Sequence, residues 1–308
     1  MTQIVRLEGA RTRISIAPEL GGRIAQIEAL HRGAWVSLLH EPVEIMPGER
    51  DPMTWGSFVM APWPNRVANA RFDWRGETIL LAANDTPHAI HGVCFDRQWT
   101  VDAQTDSACA LRIVFDETWP FGGHAVQHIE ALDDGVAQTI EVHAARTPFP
   151  AGAGWHPWFR RQIYGAEHVH AQVDASTRYE LRDQVPTGRL LPVDGEHDLR
   201  AYRPLDARRL DDCYRCPSGT LRLRWDDLEL WMESSANVDH AMVYTPEHAV
   251  CLEPQTCAAD AFNLAARGVP GAGVFVVEPG RPLVATTTWR WATAEPQWQQ
   301  IHPGGADA

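Results

Sequence analysis

The chain is written in short runs of alternating or β-branched residues, each closed after a few positions by turn residues. "TRISIAP" (12–18), "AQTIEVHAA" (137–145), "TLRLRW" (220–225), "LELWM" (228–232) and "VFVVEPGRPLVATTTWRW" (274–291) carry the period of two, or the β-branched and aromatic content, that strands require. "PELGG", "WRGE", "LDDG", "CPSG" and "EPG" punctuate them with Gly, Pro and Asp. No segment holds a long helical period; "QTCAADAFNLAARG" (255–268), ending near Gly268, is the best helical candidate and is short. Many short strands with frequent turns bury their apolar faces sheet against sheet, so the expected fold is all-β, a sandwich or barrel with few short helices. Such folds often exceed roughly 200 residues as one domain. No Gly-, Ser- or Pro-rich linker and no internal repeat divides the chain, so residues 1–308 are expected to form a single domain. The tail "HPGGADA" (302–308) has the composition of a frayed end.

Hydrophobic residues make up 44% and charged residues 22%, enough apolar material for a sizeable core. The formal net charge of −13 would be repelled by nucleic acid and by anionic membrane, which excludes both as expected partners. The opening "MTQIVRLEGARTRISIAP" has no apolar signal-peptide core, and no apolar run approaches a membrane span, so a cytoplasmic location is expected. Six cysteines in a chain of this length do not make a disulfide scaffold. "CYRC" (213–216) is a C-x-x-C, but "CLEPQTC" (251–257) is too widely spaced to complete a zinc site, so reduced buried thiols and no metal are expected.

Four islands stand out from the strand background. In "APWPNRVANARFDWRGE" (61–77), prolines flank Asn65–Arg66, and Arg66 offers a planar fork of donors suited to hydroxyls or a carboxylate, or simply to tying down a loop. In "TPHAIHGVCFDRQWTV" (86–101), His88 and His91 lack the carboxylate and the helix that a metal site would want; His91, beside Gly92, can approach a ligand closely or serve as a hydrogen-bonded loop histidine. "GAGWHPWFRR" (152–161) sets His156 between Trp155 and Trp158 with Pro157 stiffening the backbone, either as a buried structural histidine or as a held proton donor. "AVCLEPQTCAADAFNL" (249–264) reads as a buried strand that ends on Glu253, with Pro254 terminating the pairing. Such a carboxylate is costly to bury unless it is partnered or functional. A histidine and a glutamate in apolar settings can form an acid–base pair. No G-x-S-x-G, P-loop or dinucleotide glycine motif supplies an alternative chemistry.

Taken together, "NRVANARF" with its following "RGE", "HAIHG" with "FDRQW", "WHPWF", "LDDCY" and "CLEPQT…DAFN" resemble the aldose 1-epimerase (galactose mutarotase) family, in the family's order, over roughly residues 55–265. The resemblance implies a large antiparallel β-sandwich and a cofactor-independent isomerase acting on a free aldose. It implies that His156 is the catalytic acid and Glu253 the catalytic base. Arg66 and His91 would bind the sugar, as would Asp211, whose neighbour Asp212 competes for the same role. Trp158 stands where the family commonly has tyrosine, and Tyr214 where it has phenylalanine. The expected partner is a monosaccharide, the expected assembly a monomer or homodimer. Three other readings share these residues. A hexose-6-phosphate epimerase would draw its phosphate ligands from "FRRQ" (159–162). A non-catalytic sugar-binding protein could use the same fold. A glycosidase would need two carboxylates and leave His156 idle.

Overall fold

The computed structural model describes residues 3–41, 51–163, 168–206 and 208–293; the 302–308 tail lies outside them. The segments expected as strands are strands: Thr12–Ala17, Gly135–His143, Leu221–Trp225 and Leu228–Ser234. Among the described residues they belong to two large antiparallel sheets, one of twelve strands and one of nine, with three two-stranded ribbons beside them. One core of Leu, Ile, Val, Phe and Trp side chains fills the space between the sheets. Trp155, Trp225, Trp289 and Trp291 lie within it at 1% exposure or less. Burial of side chains this large contributes most of the stabilisation available to a chain with so little helix.

The segment 274–291 forms two strands, Phe275–Val277 and Leu283–Thr293, divided at its "EPG" by a turn bridged between Glu278 and Arg281. Two expectations change. The one α-helix among the described residues covers only Ala261–Ala266. Its expected first turn, at Gln255, is still strand, since Gln255 pairs with both His240 and Gly154. Pro254 does not end its strand. Ala249–Gln255 runs through it, with Ala241 as its partner on one side. The Pro254 carbonyl lies 2.9 Å from where a Cβ on Gly154 would sit, so its missing N–H falls on that same edge. There Gly154 and Gln255 are the one paired couple between the two strands, and the ladder on that edge goes no further.

Three of the five residues singled out from the sequence or its resemblance, His156, Glu253 and Asp211, lie among five neighbouring strands of the larger sheet: Ser57–Met60, Gly154–Pro157, Ala249–Gln255, His240–Tyr244 and Asp211–Arg215, in that order. Successive residues alternate between the faces. Val59, Trp155, Leu252, Val243 and Tyr214 point into the core. Phe58, His156, Glu253, Met242, Tyr244 and Asp211 are on the other face. The register makes this explicit: Phe58 opposes His156, Met242 opposes Glu253 and Tyr244 opposes Asp211. The single Gly154–Gln255 pair, continued two residues, sets His156 across from Glu253.

Candidate active site

Over this face lies the segment 61–92, folded back on itself. The short strand Arg66–Val67 pairs with Ala89–Ile90. His91 N–H donates to the Asn65 carbonyl at 3.0 Å, and Val93 N–H to the Ala61 carbonyl at 2.9 Å. Gly92 is obligatory here: its φ is +75°, and a Cβ would lie 2.0 Å from the Ala61 oxygen. Asp260, just before the helix, fastens the segment from behind. Its carboxylate accepts from Ala68 N–H at 2.9 Å, and its own N–H donates to the Arg66 carbonyl at 2.7 Å.

Between segment and sheet is a cleft of about 220 Å³, below the roughly 300 Å³ at which drug-sized pockets begin and suited to a smaller polar molecule. All five residues singled out from the sequence (Arg66, His91, His156, Asp211 and Glu253) line it. The structure also separates the two adjacent aspartates. Asp211 faces the cleft, where it accepts a long 3.4 Å bond from Gln184. Asp212 points the other way, to His197 Nδ1 at 2.7 Å and Arg178 at 3.5 Å.

His156 Nε2 lies 3.4 Å from Glu253 Oε1, and both side chains are buried. The imidazole is held between aromatic rings. Trp158 stacks on one side, 7° from parallel with centroids 5.1 Å apart, and Phe58 packs at 4.8 Å and 31°. The two tryptophans around His156 therefore divide their work: Trp155 packs the core and Trp158 walls the cleft. His91 meets His156 edge to face at 5.0 Å. Its Nδ1 is buried with no protein partner, a polar atom that a ligand hydroxyl can satisfy. Arg66 gives Nε to Asp85 at 2.6 Å; its terminal nitrogens make no protein hydrogen bond among the described residues.

Burial sets the electrostatics. It pushes the His156 imidazole down to about 3, and desolvation with help from His156 and Arg66 drives His91 well below its usual value. Desolvation, and then the nearby Asp211 carboxylate, hold Glu253 well above the ordinary carboxylate range. Asp211 is raised by burial, against the pull of Arg66. A desolvated imidazolium is a stronger acid than usual and a desolvated carboxylate a stronger base, so this pair is suited to moving a proton each way.

Asp85, Gln184, Met242 and Tyr244 also line the cleft and were not singled out from the sequence. Asp85 and Gln184 sit in turns, where an aspartate reads as a turn former and a lone glutamine carries no signal. Met242 and Tyr244 are two apart in "HAMVY", a period that marks a shared face without saying what that face meets. The "FRRQ" arginines, by contrast, are outside the cleft. Arg160 donates to the Leu39 carbonyl, and Arg161 spends its guanidinium on the carbonyls of Pro246, Leu205 and Thr245.

Two broad antiparallel sheets packed on one core, with a single short α-helix among the described residues, make a galactose mutarotase-like fold. Solved structures agree on the fold. A galactose mutarotase-like protein from Clostridium acetobutylicum superposes with a TM-score of 0.82 at 16% identity, covering 95% of this chain and 96% of its own. The GalM/aldose epimerase homologue from C. elegans gives 0.81 at 17% identity, covering 96% and 100%. A model of the aldose 1-epimerase family matches residues 3–289, and the chain belongs to that family. It is also 22% identical over 278 residues to the uncharacterised protein YihR of Escherichia coli, with 83% of each chain covered.

Proposed function

We propose that the protein interconverts the α and β anomers of a free aldose by opening and reclosing the sugar ring. The observation that carries the reading is the His156–Glu253 pair, 3.4 Å apart on one wall of a cleft whose other polar groups are Arg66, His91 and Asp211. Glu253 takes the proton of the C1 hydroxyl while His156, as imidazolium, gives one to the ring oxygen. The C1–O5 bond breaks and leaves the open-chain aldehyde. C1 turns about the C1–C2 bond, and the C5 hydroxyl adds to the other carbonyl face. Glu253 now returns its proton to the C1 oxygen, and His156 recovers one from O5. The pair ends as it began, with one proton between them, and the chain's own residues account for every transfer. Arg66, His91 and Asp211 hold ring hydroxyls so that only C1 turns.

General acid and general base groups each contribute about 10²–10⁴-fold. The reading is tested by polarimetry, or by NMR exchange, on freshly dissolved α-anomers of galactose, glucose, xylose and arabinose. Acceleration of at least one supports it; acceleration of none leaves a sugar-binding protein. The 6-phosphate alternative loses its stated anchor, because Arg160 and Arg161 are turned to backbone carbonyls elsewhere and Arg66 is the one arginine lining the cleft among the described residues.

A further inference from the structure

Glu253 has two carboxylate oxygens, and they meet different partners. Oε1 faces His156 Nε2 at 3.4 Å. Oε2 accepts a hydrogen bond at 3.1 Å from Nε2 of Gln255. Gln255 is two residues further along the same strand, hence on the same face, and is fully buried. It is not part of the cleft wall. Its side chain occupies a slot that the neighbouring strand leaves open. Gly154 is its cross-strand partner, and a Cβ on Gly154 would come within 2.9 Å of Gln255 Cγ.

An ionised carboxylate only accepts, so the amide turns its NH₂ toward Glu253. That leaves the amide oxygen of Gln255 buried with no protein partner. Such an orphan acceptor costs on the order of 1–3 kcal/mol. Leucine or methionine would fill the slot without that cost, so the amide is there for its hydrogen bond and not for its bulk.

We infer that Gln255 is a positioning residue for the proton transfer: by holding Oε2 it fixes the rotation of the Glu253 carboxylate and directs Oε1 to the place where His156 and the C1 hydroxyl meet. The inference rests on the acid–base reading of Glu253 and His156 proposed above. A second consequence follows for titration. Burial and Asp211 raise the Glu253 carboxyl, whereas Gln255 and Arg66 lower it. The groups facing Glu253 are His156 from one neighbouring strand, the non-ionising Met242 from the other, Asp211 beyond Met242, and Arg66 from the covering segment. The nearby Cys213 and Cys251 thiols are pushed up by burial and stay neutral. Removing the Gln255 amide therefore moves Glu253 to a higher pKa.

The test begins with wild-type protein in the polarimetric assay, where no acceleration of any aldose overturns the epimerase reading itself. With an active wild type, Gln255→Met keeps the length and Gln255→Leu keeps the bulk, and both remove the polar group. In either folded variant kcat falls about 10²-fold, the scale of a misplaced reacting group. KM stays near the wild-type value, and the acidic limb of the kcat–pH profile moves to higher pH. Carbon-13 NMR of the labelled Glu253 carboxyl reads the same upward shift without turnover. Should the leucine variant fail to fold, the methionine variant decides. Wild-type kcat in a folded variant overturns the inference. So does a loss of kcat matched by a rise in KM with the acidic limb and the carboxyl titration unmoved.

Discussion

Glu253 and His156 are buried groups that each avoid their charged form, and stability should register that as clearly as rate. A folded-state value above the unfolded one means that Glu253 contributes full stability below its ordinary value of 4.5 and loses it as pH rises through the folded value. Glu253→Gln never ionises. It should unfold at higher temperature than wild type by an amount that grows as pH rises above about 4.5. Its mutarotation rate should fall about 10²–10⁴-fold. Calorimetry beside polarimetry checks both, and unchanged catalysis in the folded variant sinks the assignment of the base. His156 behaves in the opposite sense. Its folded value of about 3 lies below the ordinary 6.5, so its contribution is present above 6.5 and is lost as pH falls toward 3. His156→Asn should resist acid unfolding better than wild type while losing activity, which a pH-jump melt followed by circular dichroism measures. That the two could form an acid–base pair was legible from type and setting; the roles of acid and base came from the family resemblance. Their partners were not legible: Asp85 on Arg66 and Gln255 on Glu253 look like a turn residue and the start of a helix until the distances are known.

At the scale of elements, the segment 61–92 turns a flat sheet face into a cleft. Arg66 is held to it by Asp85, across a turn in which Asn84 clamps both the N–H and the carbonyl of Ile90. Asp85→Ala should free the guanidinium and raise KM about tenfold, a loss of the size expected for a hydrogen bond to a charged group, with a smaller change in kcat. Steady-state kinetics on the preferred aldose separates the two. Gly92→Ala forces a Cβ into the Ala61 carbonyl at positive φ and should cost well over about 1 kcal/mol in a urea melt, loosening His91 with it. Strand identity was readable across most of the chain, because alternation is local. Element ends were less so. The passage of the strand through Pro254 depends on Ala241 beside it, which is not near in sequence.

For the whole molecule, the sandwich separates stability from chemistry by face. Trp155 belongs to the core between the sheets, and Trp155→Ala should cost about 3–5 kcal/mol by chemical denaturation. Trp158, three positions on, stacks against His156 on the cleft face, and its loss should be felt chiefly in kcat. The sequence by itself determined what depends on near neighbours: a strand-rich chain, a sandwich or barrel, and an arginine, two histidines and a glutamate in settings open to acid–base work, to which the family resemblance added the antiparallel sandwich and Asp211. Only the tertiary structure decided which of these residues meet. His156 and Glu253 are 97 positions apart and become partners through one cross-strand pair, Gly154 with Gln255. Alternation places Asp211 and Asp212 on opposite faces, but not which face is the cleft; pairing with Tyr244 decides that. The same holds for Arg160 and Arg161, whose donors are claimed by distant carbonyls. A period of two divides a strand into two sides. What each side faces is set by register and by the sheet or segment packed on it, and those are long-range contacts that no local pattern carries.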